Sequence, residues 1–276
     1  MIAFLVYSHV FLGVCLASLA AQVMQISGSG LSWPLLVLIW GATVFLYNLH
    51  ALIRLSEKRD FPRYQARYAW VQSNVGWVKI LIGIGMIASA VGLLALPTRL
   101  WGLVGVLGGM SLAYSVPVFT PFFNTMPRLR DIPYVKFFVL VSVLTVTVVG
   151  LPAMLSLGGL KVLTWVRMGL FLAAITLPFD IRDLEFDRHQ GLPTLATWLG
   201  EDRARQWALV ALALSAVVAA FEFSALPFAK LMVMALGYGV TWAILMRVRT
   251  ERSGLFYGVW VEGALLFQSL LILTLF

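Results

Sequence analysis

The sequence predicts an all-α integral membrane protein with nine transmembrane helices, its N-terminus cytoplasmic and its C-terminus outside. Three observations predict it. Of 276 residues, 61% are hydrophobic and only 12% charged, about half the charged fraction of a soluble domain. The apolar residues fall in segments near the roughly 20 residues that a helix needs to cross the hydrocarbon core. The basic residues lie overwhelmingly in alternate connections, the pattern of the positive-inside rule.

The segments, in order, are 1–24, 33–52, 75–96, 100–117, 132–155, 163–179, 206–223, 228–246 and 255–276. The first lacks a basic n-region and an A-x-A-like cleavage site, so it reads as a retained helix. The connections after the even-numbered segments, with their flanks, hold 16 of the 20 Lys and Arg residues, and the other side has only Arg99, Lys161, Arg167 and Lys230. The formal charge of +8 is therefore a matter of topology and lipid headgroups, and nucleic acid is not implied. A single cysteine, Cys15, excludes an intrachain disulfide and a cysteine-cluster metal site.

The whole chain, 1–276, reads as one polytopic domain. Its outer connections are short, and its inner ones, about 53–74, 118–131 and 180–205, are long enough to build a polar site. Function belongs on the cytoplasmic face. In the fourth segment, Gly102, Gly105, Gly108 and Gly109 form a small-residue face, for which close helix packing is expected. Charges inside spans are functional suspects. Glu222 is near the outer end of the seventh segment, and Glu262, deeper in the ninth, is the better candidate for facing an internal polar cavity.

Six of the twelve acidic residues lie between Asp180 and Asp202, and Asp180, Asp183 and Asp187 follow D-x-x-D-x-x-x-D spacing at the end of the sixth segment. Offsets of three and seven share one face of a helix. Carboxylates converging there repel unless a cation sits between them, and hard oxygen ligands suit Mg²⁺. The plainer reading is a solvated acidic helix end paired with Arg182, Arg188 and Arg203.

The run Asp180-Ile-Arg-Asp183-Leu-Glu-Phe-Asp187-Arg-His-Gln-Gly191-Leu-Pro-Thr194-Leu195, followed by Leu199-Gly200 and Arg203-Ala204, resembles the second aspartate-rich motif and the "G-x-x-T-L…L-G" segment of the UbiA-type intramembrane prenyltransferases. Tyr114-Ser115-Val116-Pro117 with Arg128-Leu129-Arg130, Pro133 and Lys136 is similar to that family's "Y-S-x-P…R-L-R/K…P…K" region. The resemblance implies a nine-helix bundle around a lateral, lipid-open chamber; the bacterial inner membrane is the expected location, from minimal termini and no organellar presequence. It also implies transfer of a prenyl group from a polyprenyl diphosphate to an aromatic or lipid acceptor, with Mg²⁺ on Asp180, Asp183 and Asp187. Asp183 and Asp187 would be catalytic, and Asn48, Arg54, Lys58, Tyr114, Arg128, Arg130 and Lys136 would hold the diphosphate.

The first aspartate motif, N-D-x-x-D-x-x-x-D in the family, is degenerate. Asn48 aligns, but the aspartate positions fall on Leu49, Leu52 and Ser56. Arg54, Lys58, Arg59, Arg63 and Arg67 follow at once, and arginine forms bidentate pairs with phosphate oxygens. Two expectations stand side by side: a prenyltransferase in which fixed cations replace one metal, or a non-catalytic protein that binds an isoprenoid or quinone or scaffolds a partner.

Overall fold

The computed structural model describes residues 1–55, 65–116, 128–129, 132, 134–156 and 159–275, and every regular element among them is helical. We number the helices α1 (Ile2–Tyr7), α2 (Val10–Ile26), α3 (Trp33–Ile53), α4 (Gln65–Ser73), α5 (Val75–Leu94), α6 (Trp101–Ser115), α7 (Val135–Leu155), α8 (Val162–Arg182), α9 (Leu184–His189), α10 (Leu195–Leu199), α11 (Glu201–Glu222), α12 (Phe228–Leu245) and α13 (Gly254–Leu273). Seven of them, α3, α5, α7, α8, α11, α12 and α13, are long and apolar enough to cross a membrane. The other two expected spans fall on shorter helices: the fourth on α6, 15 residues, and the first on α1 and α2. The first is interrupted at His9, whose φ of 57° is left-handed, a conformation uncommon for a residue with a β-carbon.

Helices α3 and α5 pack against each other, as do α8 and α11, and α2 lies between α3 and α13. The α3–α5 contact depends on glycine. A β-carbon added at Gly41 would lie 2.8 Å from the Gly85 carbonyl oxygen, and one at Gly85 would lie 2.7 Å from the Gly41 carbonyl oxygen. The glycine face of α6 does not behave this way. A β-carbon on Gly102, Gly105, Gly108 or Gly109 would meet nothing within 4 Å, so the expectation of close packing there is corrected. Gly108 borders an internal cavity instead. Small-residue spacing permits close approach but does not compel it, and the compelling case lay in α3 and α5.

Two spans contain a π-helical turn, Val146–Gly150 within α7 and Tyr257–Val261 within α13. Such turns shift the helical register and recur at functional sites. Thr147 of the first borders the cavity, as does Glu262 immediately after the second.

Candidate functional site: a charged cluster at one end of an apolar chamber

The bundle encloses a cavity of about 270 Å³, close to the lower end of the range for ligand pockets. Along most of its length the wall is apolar, with Leu12, Leu38, Leu107, Val143 and Leu172 among its residues. Its polar end is formed by Arg54, Arg67, Tyr114, Lys136, Asp180, Arg182 and Asp183.

Local chain chemistry brings these groups together. Helix α8 ends at Arg182, with Asp183 as its C-cap at φ −87°, ψ 2°, so the face expected to carry all three aspartates is broken between the second and third. Asp187 lies on α9, which closes with paired bonds: Leu192 N–H donates to Asp187 O at 2.8 Å and Gly191 N–H to Arg188 O at 3.1 Å. This is a Schellman arrangement, and it requires the left-handed φ of 65° that Gly191 supplies. Thr194 then caps α10 in a reciprocal box with Thr197. The loop also fixes α7, since Tyr134 N–H donates to Pro193 O at 2.9 Å. Two residues further on, Lys136 reaches the aspartates.

The Lys136 ammonium is 2.7 Å from Asp180 Oδ1 and 2.9 Å from Asp187 Oδ2. Asp183 also borders the cavity, and its Oδ1 accepts from Arg182 Nε at 2.9 Å. All three aspartates are buried. The trio therefore does not converge on one point, and among the described residues no three His, Cys, Asp or Glu side chains are arranged to hold a metal. Two carboxylates against one ammonium leave a net charge of −1, and Asp180 Oδ2 and Asp187 Oδ1 are buried without a hydrogen-bond donor. Desolvated, unpaired carboxylate oxygens are costly. One Mg²⁺ completed by phosphate oxygens and water fits this pair, because that ion commonly takes only one or two protein carboxylates.

The remaining expected ligands divide. Arg54 is buried, with its guanidinium 5.1 Å from the centre of the Phe186 ring, and Tyr114 borders the cavity beside His50, which shares a 3.1 Å hydrogen bond with Ser115 Oγ. Asn48 does not border the cavity. Its amide donates to Ser8 O at 2.6 Å and to Val44 O at 2.7 Å, which ties the break between α1 and α2 to α3; both amide hydrogens are spent on backbone, and Asn48 Oδ1 is buried without a partner. Arg128 is partly buried and lies outside the lining. Lys58 and Arg130 lie outside the described residues.

Arg67, at the end of the basic run, and Arg182, read at first as a partner for solvated acids, both belong to the polar end of the chamber. Arg67 Nη2 is 2.7 Å from His9 Nε2. The pairing of His9 with Arg67 spans 58 residues and carries no local pattern by which the sequence could disclose it.

Solved structures with this architecture exist. A UbiA homologue from Aeropyrum pernix K1 superposes with a TM-score of 0.64 at 18% identity, over 96% of this chain and 97% of that one. The chain has the UbiA fold. A UbiA homologue from Archaeoglobus fulgidus bound to GPP and Mg²⁺ gives a TM-score of 0.63 at 13% identity over 99% of each chain. A digeranylgeranylglyceryl phosphate synthase gives 0.56 at 10% identity, over 99% of this chain and 97% of that one. No protein-family model and no curated protein matches the sequence. In this UbiA-fold chain, the charged cluster stands at one end of the central cavity and the apolar wall continues from it.

Proposed function

We propose that the chain is a membrane prenyltransferase of the UbiA type, which binds a prenyl diphosphate with the diphosphate at the Lys136 end and the hydrocarbon along the apolar wall. The observation that carries this reading is the pair of buried, donorless oxygens on Asp180 and Asp187, joined through Lys136, with Asp180, Lys136 and three arginines bordering the cavity. It is further supported by the fold shared with a homologue bound to GPP and Mg²⁺.

In this reading the basic end is cytoplasmic, and Asp180 and Asp187 would hold Mg²⁺, which would supply charge neutralisation to the diphosphate. Arg54, Arg67 and Arg182 donate to the diphosphate oxygens, as guanidinium groups do with particular strength. Lys136 keeps the two aspartates in register and adds a further positive charge where negative charge develops. The apolar wall keeps water from the allylic cation until an aromatic or lipid acceptor captures it. Asp183 acts through Arg182, orienting it, and is a positioning residue.

Purified protein in lipid nanodiscs, incubated with Mg²⁺, labelled geranyl to geranylgeranyl diphosphates and a panel of aromatic and lipid acceptors, is expected to release diphosphate with at least one combination. No release under any combination, with binding retained, would favour the second reading, a non-catalytic isoprenoid- or quinone-binding protein. That reading draws on the missing carboxylates at Leu49 and Leu52.

A further inference from the structure

The apolar part of the chamber contains one acid that the diphosphate site does not use. Glu262 is 7% exposed and borders the cavity. Its Oε2 is buried without a hydrogen-bond partner, and no described residue forms an ion pair or hydrogen bond with either oxygen. It lies on a different helix from the aspartate cluster and at a different depth. Tyr257 packs on Phe179 with ring centres 5.9 Å apart, so α13 begins beside the end of α8. Glu262 lies five residues further along, about 8 Å deeper at a rise of about 1.5 Å per residue. It directly follows the π-helical turn Tyr257–Val261, which sets its register on the helix.

An unpaired acid inside a membrane span is expensive and marks a functional position. The outer acid, Glu222, illustrates what a purely structural one looks like: it accepts from Thr164 Oγ1 on one oxygen and from Arg167 Nε on the other. Glu262 has no such donors. The missing donor has to come from whatever fills the cavity, and a carboxyl group accepts a hydrogen bond from an O–H whether or not it carries a proton itself.

We infer that Glu262 is the recognition site for the second substrate, an apolar molecule carrying a hydroxyl group that donates to the Glu262 carboxyl inside the chamber. This rests on reading the chamber as a prenyl-transfer site. A hydroxyl held there lies deeper than the diphosphate, on the side where the hydrocarbon chain runs. The polar and apolar parts of the wall thus divide the work between two ligands: cations at the Lys136 end take the anionic one, and the Glu262 carboxyl deeper in takes the neutral one. A site that satisfies a buried group by a ligand hydroxyl discriminates strongly against the analogue without it, because that analogue leaves the group unpaired.

The test uses a matched pair of probes, 4-dodecylphenol and its methyl ether, with the full chain in nanodiscs and binding followed by native mass spectrometry. The phenol is expected to bind wild type at least about tenfold more tightly than the ether. Glu262→Leu, close in size, is expected to lower that ratio to about one, and Glu262→Gln, which keeps a carbonyl acceptor, to retain part of it. Geranyl diphosphate binding by Glu262→Leu should match wild type. Equal binding of phenol and ether to wild type, an unchanged ratio in Glu262→Leu, or loss of geranyl diphosphate binding together with phenol binding in that variant would each overturn the inference. A phenol preference that depends on Glu262 in a protein that binds no prenyl diphosphate would uphold the hydroxyl site and overturn the prenyl-transfer reading.

Discussion

Two buried charged clusters lie in the same bundle, and they differ in balance. At one end, Arg167 and Glu222 form a one-to-one pair in which both carboxylate oxygens accept from protein donors and the guanidinium also lies 5.2 Å from the centre of the Phe223 ring. At the other, one lysine meets two aspartates, each of which keeps a buried oxygen without a donor. The first cluster matches one charge with one and leaves both carboxylate oxygens satisfied, and its single buried atom without a partner is Arg167 Nη2. In the second, the Lys136 trio has one carboxylate more than it has ammonium, within a polar end that also holds Arg54, Arg67 and Arg182, an arrangement that a cation with its anionic ligand can complete. Composition alone would treat the two sites alike, and on the proposed function only the second binds a ligand.

Removing the basic member of each cluster gives the largest contrast. Lys136→Met and Arg167→Met should each lose about 3–5 kcal/mol, the usual consequence of leaving a buried charge without its partner, as read by thermal unfolding in detergent. Only Lys136→Met should also lose geranyl diphosphate binding, by about a hundredfold or more. If Arg167→Met lost binding equally, the separation would be wrong.

Neutralising an acid gives the next effect and reverses one sign. Asp180→Asn relieves the surplus charge, so its melting temperature should hold or rise while diphosphate release falls by about a hundredfold, comparable to the loss of one preorganised electrostatic contact. Glu222→Gln should do the opposite, lowering the melting temperature and leaving release within about twofold of wild type. Both are read by unfolding curves and a phosphate-release assay.

The smallest effects come from the glycines. Gly85→Ala should cost about 1–3 kcal/mol through overpacking against α3, whereas Gly105→Ala, with open space around it, should be neutral or stabilising by up to about 1 kcal/mol through helix propensity. Comparing the two melting temperatures checks which glycine face is packed.

These glycines also show where the sequence was legible. Apolar segment length located the seven helices long enough to cross a membrane to within a few residues, because burial of backbone polar groups in lipid admits few alternatives. The G-x-x-T-L segment was recognisable because its chemistry is local: Gly191 takes a left-handed φ and Thr194 caps the next helix. The meeting of Lys136 with Asp180 and Asp187 was not readable as a contact, since it joins residues 44 and 51 positions apart on three helices. Nor was the helix break at Asp183, which turned an expected three-carboxylate face into a pair and a separate Arg182–Asp183 contact. Asn48 was legible as a motif position, but its two bonds to backbone carbonyls were not. Glu262 was the reverse case, a residue outside any motif that stood out because a charge in the middle of an apolar span needs a reason.

The most direct test of the central claim is diphosphate release from labelled geranyl diphosphate by wild type and the three single aspartate variants, with Mg²⁺ present. The arrangement around Lys136 predicts losses of about a hundredfold or more for Asp180→Asn and Asp187→Asn, and a distinctly smaller loss, about tenfold or less, for Asp183→Asn, which pairs with Arg182 instead. Equal loss in all three, or near-wild-type release by Asp187→Asn, would contradict it.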